Sequence, residues 1–192
     1  MKPRLALAGL LAAACATFAA TPAIAATTAC TAPTLTQPFL SFGDSNSYAL
    51  PGGESYDNFD GTGWTLIGGA KLVTTTLADG STGQVLDLPS GSRAISPAVC
   101  VSSNYPSART MVRQVSGVGT LTFSVFYRKG SGWSAPHTTD WLTGTSSWNL
   151  SAELPLNPPK HGSWWLGRYT FAYSGPPGDY QLYNFYIDPY ST

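Results

Sequence analysis

Residues 52–76, GGESYDNFDGTGWTLIGGAKLVTTT, decide the fold. An acidic, Gly-rich turn runs into a strand headed by Trp64. Gly68-Gly69 then reverses the chain, and a β-branched strand follows at Leu72–Thr76. Gly supplies the positive φ that a tight turn requires, and Val and Thr suit a pleated, half-buried surface. The rest of the chain repeats this grammar of short aromatic or β-branched runs between Gly, Pro, Ser and Asp turns.

Outward from that stretch, strand-like segments are expected at 64–67 and 72–77, then 84–88 up to Pro89, 93–96 up to Pro97, 99–101, and 108–115 before the turn at Gly117 and Gly119. The strongest is 121–128, with Leu121, Phe123, Val125 and Tyr127 on one face and Thr122, Ser124 and Arg128 on the other. Phe126 is the apolar exception on the polar face. Residues 148–156, 164–173 and 180–187 follow, with Tyr169, Phe171 and Tyr173 alternating and the last segment apolar on both faces, as a central strand is. No window of a dozen residues beyond the N-terminal apolar run carries apolar side chains at helical spacing. Twenty Gly and fifteen Pro interrupt any attempt at one. An antiparallel β-sandwich follows.

The N-terminus reads as a secretory signal rather than structure. Lys2 and Arg4 precede an apolar run from Leu5 to Phe18, and Ala23-Ile24-Ala25 is a small-residue cleavage site. The run is too short for a membrane span, which needs about 20 residues. Acylation at Cys15 is the competing interpretation. Cleavage after Ala25 leaves 167 of the 192 residues, divided into an extended lead-in (26–47) and a sandwich domain (48–192). Loss of Lys2 and Arg4 leaves eight basic against ten acidic residues, a formal charge of −2. The basic residues are scattered, with no patch to track a phosphate backbone, so nucleic acid is not expected as a partner.

Cys30 and Cys100 form an even pair in an exported chain and are expected to be one disulfide. Phe42-Gly43-Asp44-Ser45 resembles the nucleophile block of GDSL-type esterases. That family's fold is a three-layer α/β sheet, for which this chain offers no helices. Its Asp sits three residues before its His, whereas Pro158 and Ser134 occupy those places before His161 and His137. The carboxylates single out no pair for glycoside hydrolysis, and two His 24 residues apart give no zinc spacing. Glu54, Asp57 and Asp60 share one acidic turn, and with Asp188 from the final strand they are the candidate set for a structural calcium ion. Solvated turn residues are the plainer explanation.

Six Trp, ten Tyr and eight Phe exceed what the core of one such domain requires. Flat aromatic faces stack on the C–H faces of sugars, with a few polar groups fixing orientation. Trp133, Trp141 and Trp148 lie in or beside the Gly/Ser/Thr-rich section 130–147, where a loop platform is expected. Tyr127, Arg128, His137 and Asp140 stand nearby as candidate ligand-binding groups. Trp64, Trp164 and Trp165 are expected in the core.

The run from Glu54 to Ala70, with Gly63-Trp64-Thr65-Leu66-Ile67-Gly68-Gly69-Ala70, resembles the first strands of galactose-binding-like β-sandwiches, the jelly rolls of many carbohydrate-binding modules. Gln84-Val85-Leu86-Asp87-Leu88-Pro89 followed by Ile95-Ser96-Pro97 looks like their next hairpin. The closing Tyr183-Asn184-Phe185-Tyr186-Ile187-Asp188-Pro189 looks like their terminal strand, where an Asp helps to hold calcium. The layout of Cys30 and Cys100 is similar to that of a group of secreted actinobacterial proteins. The resemblance implies an all-β, antiparallel jelly-roll β-sandwich of about 8–10 strands, with structural calcium as a possible cofactor. One departure bears on the metal: an Asp-Asp pair is expected on the last strand, and this chain has Asn184 and a single Asp188.

The expected function is a secreted, monomeric, non-catalytic binding domain for polysaccharide or cell-wall glycan. A structural or protein-interaction domain of the cell envelope is the second reading, and a secreted hydrolase or lyase the third. Fold alone does not choose among them.

Overall fold

The computed structural model describes residue 30 and residues 34–51, 59–102, 104, 107–159 and 164–188. Among them are a 3-10 turn at Leu40–Phe42 and fifteen strand segments. In chain order these are β1 (Leu35–Thr36), β2 (Tyr48–Ala49), β3 (Thr65–Ile67), β4 (Lys71–Thr76) and β5 (Thr82–Pro89). β6 (Ser92–Ile95), β7 (Val99–Val101), β8 (Ser107–Ser116), β9 (Leu121–Lys129) and β10 (Gly132–Trp133) follow. The last are β11 (His137–Leu142), β12 (Asn149–Leu150), β13 (Leu154–Pro155), β14 (Trp165–Tyr173) and β15 (Asp179–Asp188).

Every described pairing is antiparallel. Sheet one runs β4–β5–β15–β8, with β12 and β13 along the far side of β8 and β1–β2 continuing beside the end of β15. Sheet two runs β3–β6–β14–β9–β10, with β11 on β9 beyond β10 and β7 on β14 beyond β6. The chain crosses between the sheets repeatedly, as a jelly-roll sandwich does. The expected fold class is therefore the observed one. The strand estimate of 8–10 matches the long strands. Eight segments have four or more residues and seven have two or three; of the fifteen, β10 and β11 fall in a stretch that reads as loop.

Alternation builds the core. On β9, Leu121, Phe123, Val125 and Tyr127 are all buried. On β14, Tyr169, Phe171 and Tyr173 meet them from the neighbouring strand, with Phe123 directly opposite Phe171. From sheet one, Phe185 inserts between them, 5.2 Å from Phe171 and 5.7 Å from Tyr169. Trp64 closes this cluster at 4.9 Å from Phe59 and 6.1 Å from Phe185, and is buried as expected. The core accounts for ten of the eighteen Tyr and Phe as fully buried side chains, so part of the aromatic excess is packing.

Two devices fix the periphery. Cys30 and Cys100 are bonded, with Cα atoms 5.5 Å apart, which ties the N-terminal segment to β7 as expected. Asp44 accepts the Tyr48 hydroxyl at 2.6 Å and lies 3.3 Å from the Arg109 guanidinium of β8. Burial, reinforced by the Asp44 hydrogen bond, pushes the Tyr48 phenol well above its usual range. The Asp of the Gly-Asp-Ser tripeptide thus anchors the lead-in to sheet one. No α-helix forms among the described residues, so neither does the esterase framework.

Candidate functional site

The outward face of sheet two is set by the same alternation that fills the core. With Leu121, Phe123, Val125 and Tyr127 turned in, Thr122, Ser124, Phe126 and Arg128 point out. On β14, Arg168 and Thr170 do the same, directly opposite Phe126 and Ser124. Trp133 stands opposite Arg128 and shares this face. Its ring meets Phe126 edge-on at 5.6 Å. The guanidinium carbon of Arg168 lies 4.7 Å from its centroid and that of Arg128 5.9 Å. This cover explains the apolar exception in β9: Phe126 is outward yet only 9% exposed, because Trp133 and Arg168 lie over it.

At this end of the face Arg128 also borders a cavity of about 390 Å³ with Trp164, Trp165, Leu166 and Cys30. Trp164 is 45% exposed, which corrects the expectation that it sits in the core. Trp165 turns the other way, half-buried, with its ring 6.4 Å from Tyr127. Trp164 and Arg168 were legible: continuing the Tyr169–Phe171–Tyr173 period backwards turns Trp165 and Gly167 in and Trp164, Leu166 and Arg168 out.

Trp141 marks the other end. It is 60% exposed and lies opposite Thr122 on β11. Between the two ends runs a strip of hydroxyls, with the Ser124 and Thr138 side chains hydrogen-bonded at 3.1 Å. Thr122 and Arg128 are six steps apart along β9, a span of about 20 Å at strand rise. Trp141 also borders a side groove of about 230 Å³ between β11 and the β12–β13 edge, with Asp140, Thr143, Asn149 and Ser151.

The three tryptophans of 133–148 do not share one surface. Trp133 and Trp141 stand on sheet two, in β10 and β11, so section 130–147 is not the loop expected of it. Trp148 belongs to sheet one. Its indole N–H donates to the Thr76 carbonyl at 2.9 Å, its ring meets Tyr183 at 4.7 Å, and Arg113 lies over it at 4.4 Å. Tyr127 faces the interior, its hydroxyl donating to the Leu156 carbonyl at 2.6 Å, and burial pushes its phenol well above the usual range. Arg128 is exposed and donates through Nε to the Gly130 carbonyl at 3.1 Å. His137 is exposed opposite Val125 at the sheet edge. Asp140 is half-buried and accepts the Trp141 backbone N–H at 2.7 Å.

Sheet one carries a polar row instead. Lys71, Asp87, Gln181 and Arg113 stand opposite one another across four strands. Asp87 faces Lys71 at 3.8 Å and accepts the Gln181 amide at 2.7 Å, while Arg113 donates to Gln181 at 2.6 Å and to Thr75 at 2.8 Å. Burial, then the charge of Asp87, raises the pKa of Asp179 on this surface. Asp87 is already committed to Lys71 and Gln181, so the two carboxylates form no free acid–base pair.

Of the calcium candidates, Glu54 and Asp57 lie outside the described residues. Asp60 accepts the Thr62 backbone N–H at 2.8 Å, an ordinary turn bond, and Asp188 is buried on β15 opposite Ser107. Among the described residues no three His, Cys, Asp or Glu side chains are grouped to hold a metal ion, and no helix is long and apolar enough to cross a membrane.

No protein-family model matches the chain, and no curated protein matches it. Solved structures of similar shape include a family 11 carbohydrate-binding module from Clostridium thermocellum in complex with a β-1,3-1,4-mixed-linked tetrasaccharide. It shares 15% identity over 66% of this chain and 88% of its own, with a TM-score of 0.45. A xylan-binding domain of family 22 from Paenibacillus barcinonensis shares 18% identity over 73% and 90%, with a TM-score of 0.46. Another family 22 xylan-binding domain shares 16% over 71% and 95%, at 0.47. These are likenesses of β-sandwich shape, and the site rests on this chain's own residues.

Proposed function

We propose that the protein is a secreted, monomeric, non-catalytic domain that binds polysaccharide or cell-wall glycan along the outer face of sheet two. The observation that supports this best is the exposure of Trp141 (60%) and Trp164 (45%) on one sheet face. Exposed indoles at both ends of a hydroxyl-bearing strip offer apolar rings to sugar faces and polar groups to sugar hydroxyls. Trp133, held by Phe126 and Arg168, is a fixed ring at the Trp164 end of the strip. A disulfide suits an oxidising compartment, and export with cleavage after Ala25 is part of the same proposal.

The test is a pull-down of the purified protein with insoluble cell wall, chitin, cellulose and xylan, with tryptophan fluorescence read alongside. Binding with a fluorescence shift that Trp141→Ala abolishes supports the proposal. Absence of binding to every polymer refutes it and favours an envelope protein-interaction role. The observation on that side is the apolar surface at the 3-10 turn, where Leu40 is 58% and Phe42 42% exposed. A structural calcium at Glu54, Asp57, Asp60 and Asp188 is a separate proposal, supported by the oxygen chemistry of these carboxylates. A chelator should then lower the melting temperature and calcium restore it; an unchanged melting temperature rejects the metal.

A further inference from the structure

We propose that the glycan taken by this face is acidic, its carboxylate or phosphate being received by Arg128 and Arg168 beside Trp133. The inference rests on the glycan-binding proposal above and names the ligand class. Two guanidinium carbons lie 4.7 and 5.9 Å from one indole centroid. The negative face of the ring favours each cation, but the cations repel one another. Elsewhere the described ion pairs use Lys71 and Arg109, with Asp87, Asp44 and Glu153 as their carboxylates. Among the described residues Arg128 and Arg168 have no acidic partner.

Their hydrogen-bonding capacity is also unfilled. Arg128 uses one described donor, Nε, on the Gly130 carbonyl. The Nε of Arg168 is buried with no hydrogen-bond partner. Arg93 extends the charge across the same face, opposite Ala172 on β14. A guanidinium fork matches the two oxygens of a carboxylate or phosphate, and such charge-assisted bonds are about twice as strong as neutral ones. A neutral glycan would leave both cations uncompensated. An acidic one compensates them while the same ring, or a neighbour in the polymer, stacks on Trp164 and more distant sugars of the chain reach Trp141.

The experiment compares three soluble polymers by affinity electrophoresis and titration of tryptophan fluorescence: polygalacturonate, its carboxyl-reduced neutral form, and a polyglycerol-phosphate teichoic acid. Binding to at least one anionic polymer is expected to exceed binding to the neutral form by roughly tenfold or more. It should weaken as salt rises, and the preferred arm identifies carboxylate or phosphate as the natural group. Arg128→Gln, on an exposed side chain, should remove most of that difference, with Arg128→Lys retaining part of it and the circular dichroism spectrum unchanged. Arg168→Gln should act in the same direction. Equal binding of reduced and acidic polymers, or no effect of Arg128→Gln and Arg168→Gln, overturns the anion inference while leaving glycan binding in place. If none of these polymers binds, the anion inference falls; glycan binding itself falls only if the insoluble panel is negative as well.

Discussion

Arg168 of β14 holds its guanidinium carbon 4.7 Å from the centroid of the Trp133 ring in β10, across the intervening strand β9. The contact joins three strands on the outside of sheet two and covers Phe126. Trp133→Ala should therefore cost about 1–2 kcal/mol of stability, from a lost cation–π contact and newly exposed Phe126 surface. Urea denaturation measures it. Trp133→Phe, which keeps an aromatic ring, should lose less.

The disulfide joins residues 70 apart in sequence. The chain-entropy model assigns such a closure about 4 kcal/mol, acting mainly on the unfolded state. Cys30→Ser should lower the denaturation midpoint by a corresponding amount, and reduction of the native protein should match it. The variant should otherwise keep its fold, because the core at Phe123, Phe171 and Phe185 does not involve Cys30.

Gly117, in the turn between β8 and β9, has φ +82°, and an added Cβ would lie 2.5 Å from the Pro177 carbonyl oxygen. The turns before β9 and before β15 cross there backbone to backbone. Gly117→Ala combines a left-handed residue with a clash against main chain, which cannot give way as a flexible side chain would. A loss of roughly 2 kcal/mol or more is expected in a thermal melt. Gly80 also has positive φ but nothing within reach of a Cβ, so Gly80→Ala should cost less.

Burial and the charge of Asp87 raise the pKa of Asp179 in the folded state. The native protein then binds more protons at this group than the unfolded chain does, so its contribution falls as pH rises. It is most favourable below the unfolded value of about 3.9 and declines through the raised folded pKa. Asp179→Asn should accordingly raise the melting temperature at pH 7, with the gain shrinking towards pH 3. A gain that grows on acidification would show the sign to be wrong.

Much of the fold was legible because its signals are local. The inward period of Leu121, Phe123, Val125 and Tyr127 and the Gly68-Gly69 turn each report on a few neighbouring residues. The disulfide, though 70 residues long in closure, was legible by count, because Cys30 and Cys100 are the only two cysteines beyond the N-terminal apolar run. β10 and β11 were hidden because Gly, Ser and Thr are poor markers of an edge strand, whose outward side chains face water. Trp148 was misgrouped for a different reason. Only five residues separate Leu142 from it, but in those five the chain passes from sheet two to sheet one, and sequence distance carries no trace of that crossing. The outward direction of Arg168 is legible from the β14 period, but its contact with Trp133 is not, because Trp133 is 35 residues away and separated by a strand.

The placement of the glycan site on sheet two is tested most directly by substituting one tryptophan from each surface and measuring polymer binding under identical conditions. Trp164→Ala and Trp141→Ala, on sheet two, should abolish or strongly reduce binding. Trp148→Ala, on sheet one, should leave the affinity unchanged in the protein that remains folded. Binding that survives both sheet-two substitutions and disappears with Trp148→Ala would contradict this placement and move the site to the Lys71–Asp87–Gln181–Arg113 row.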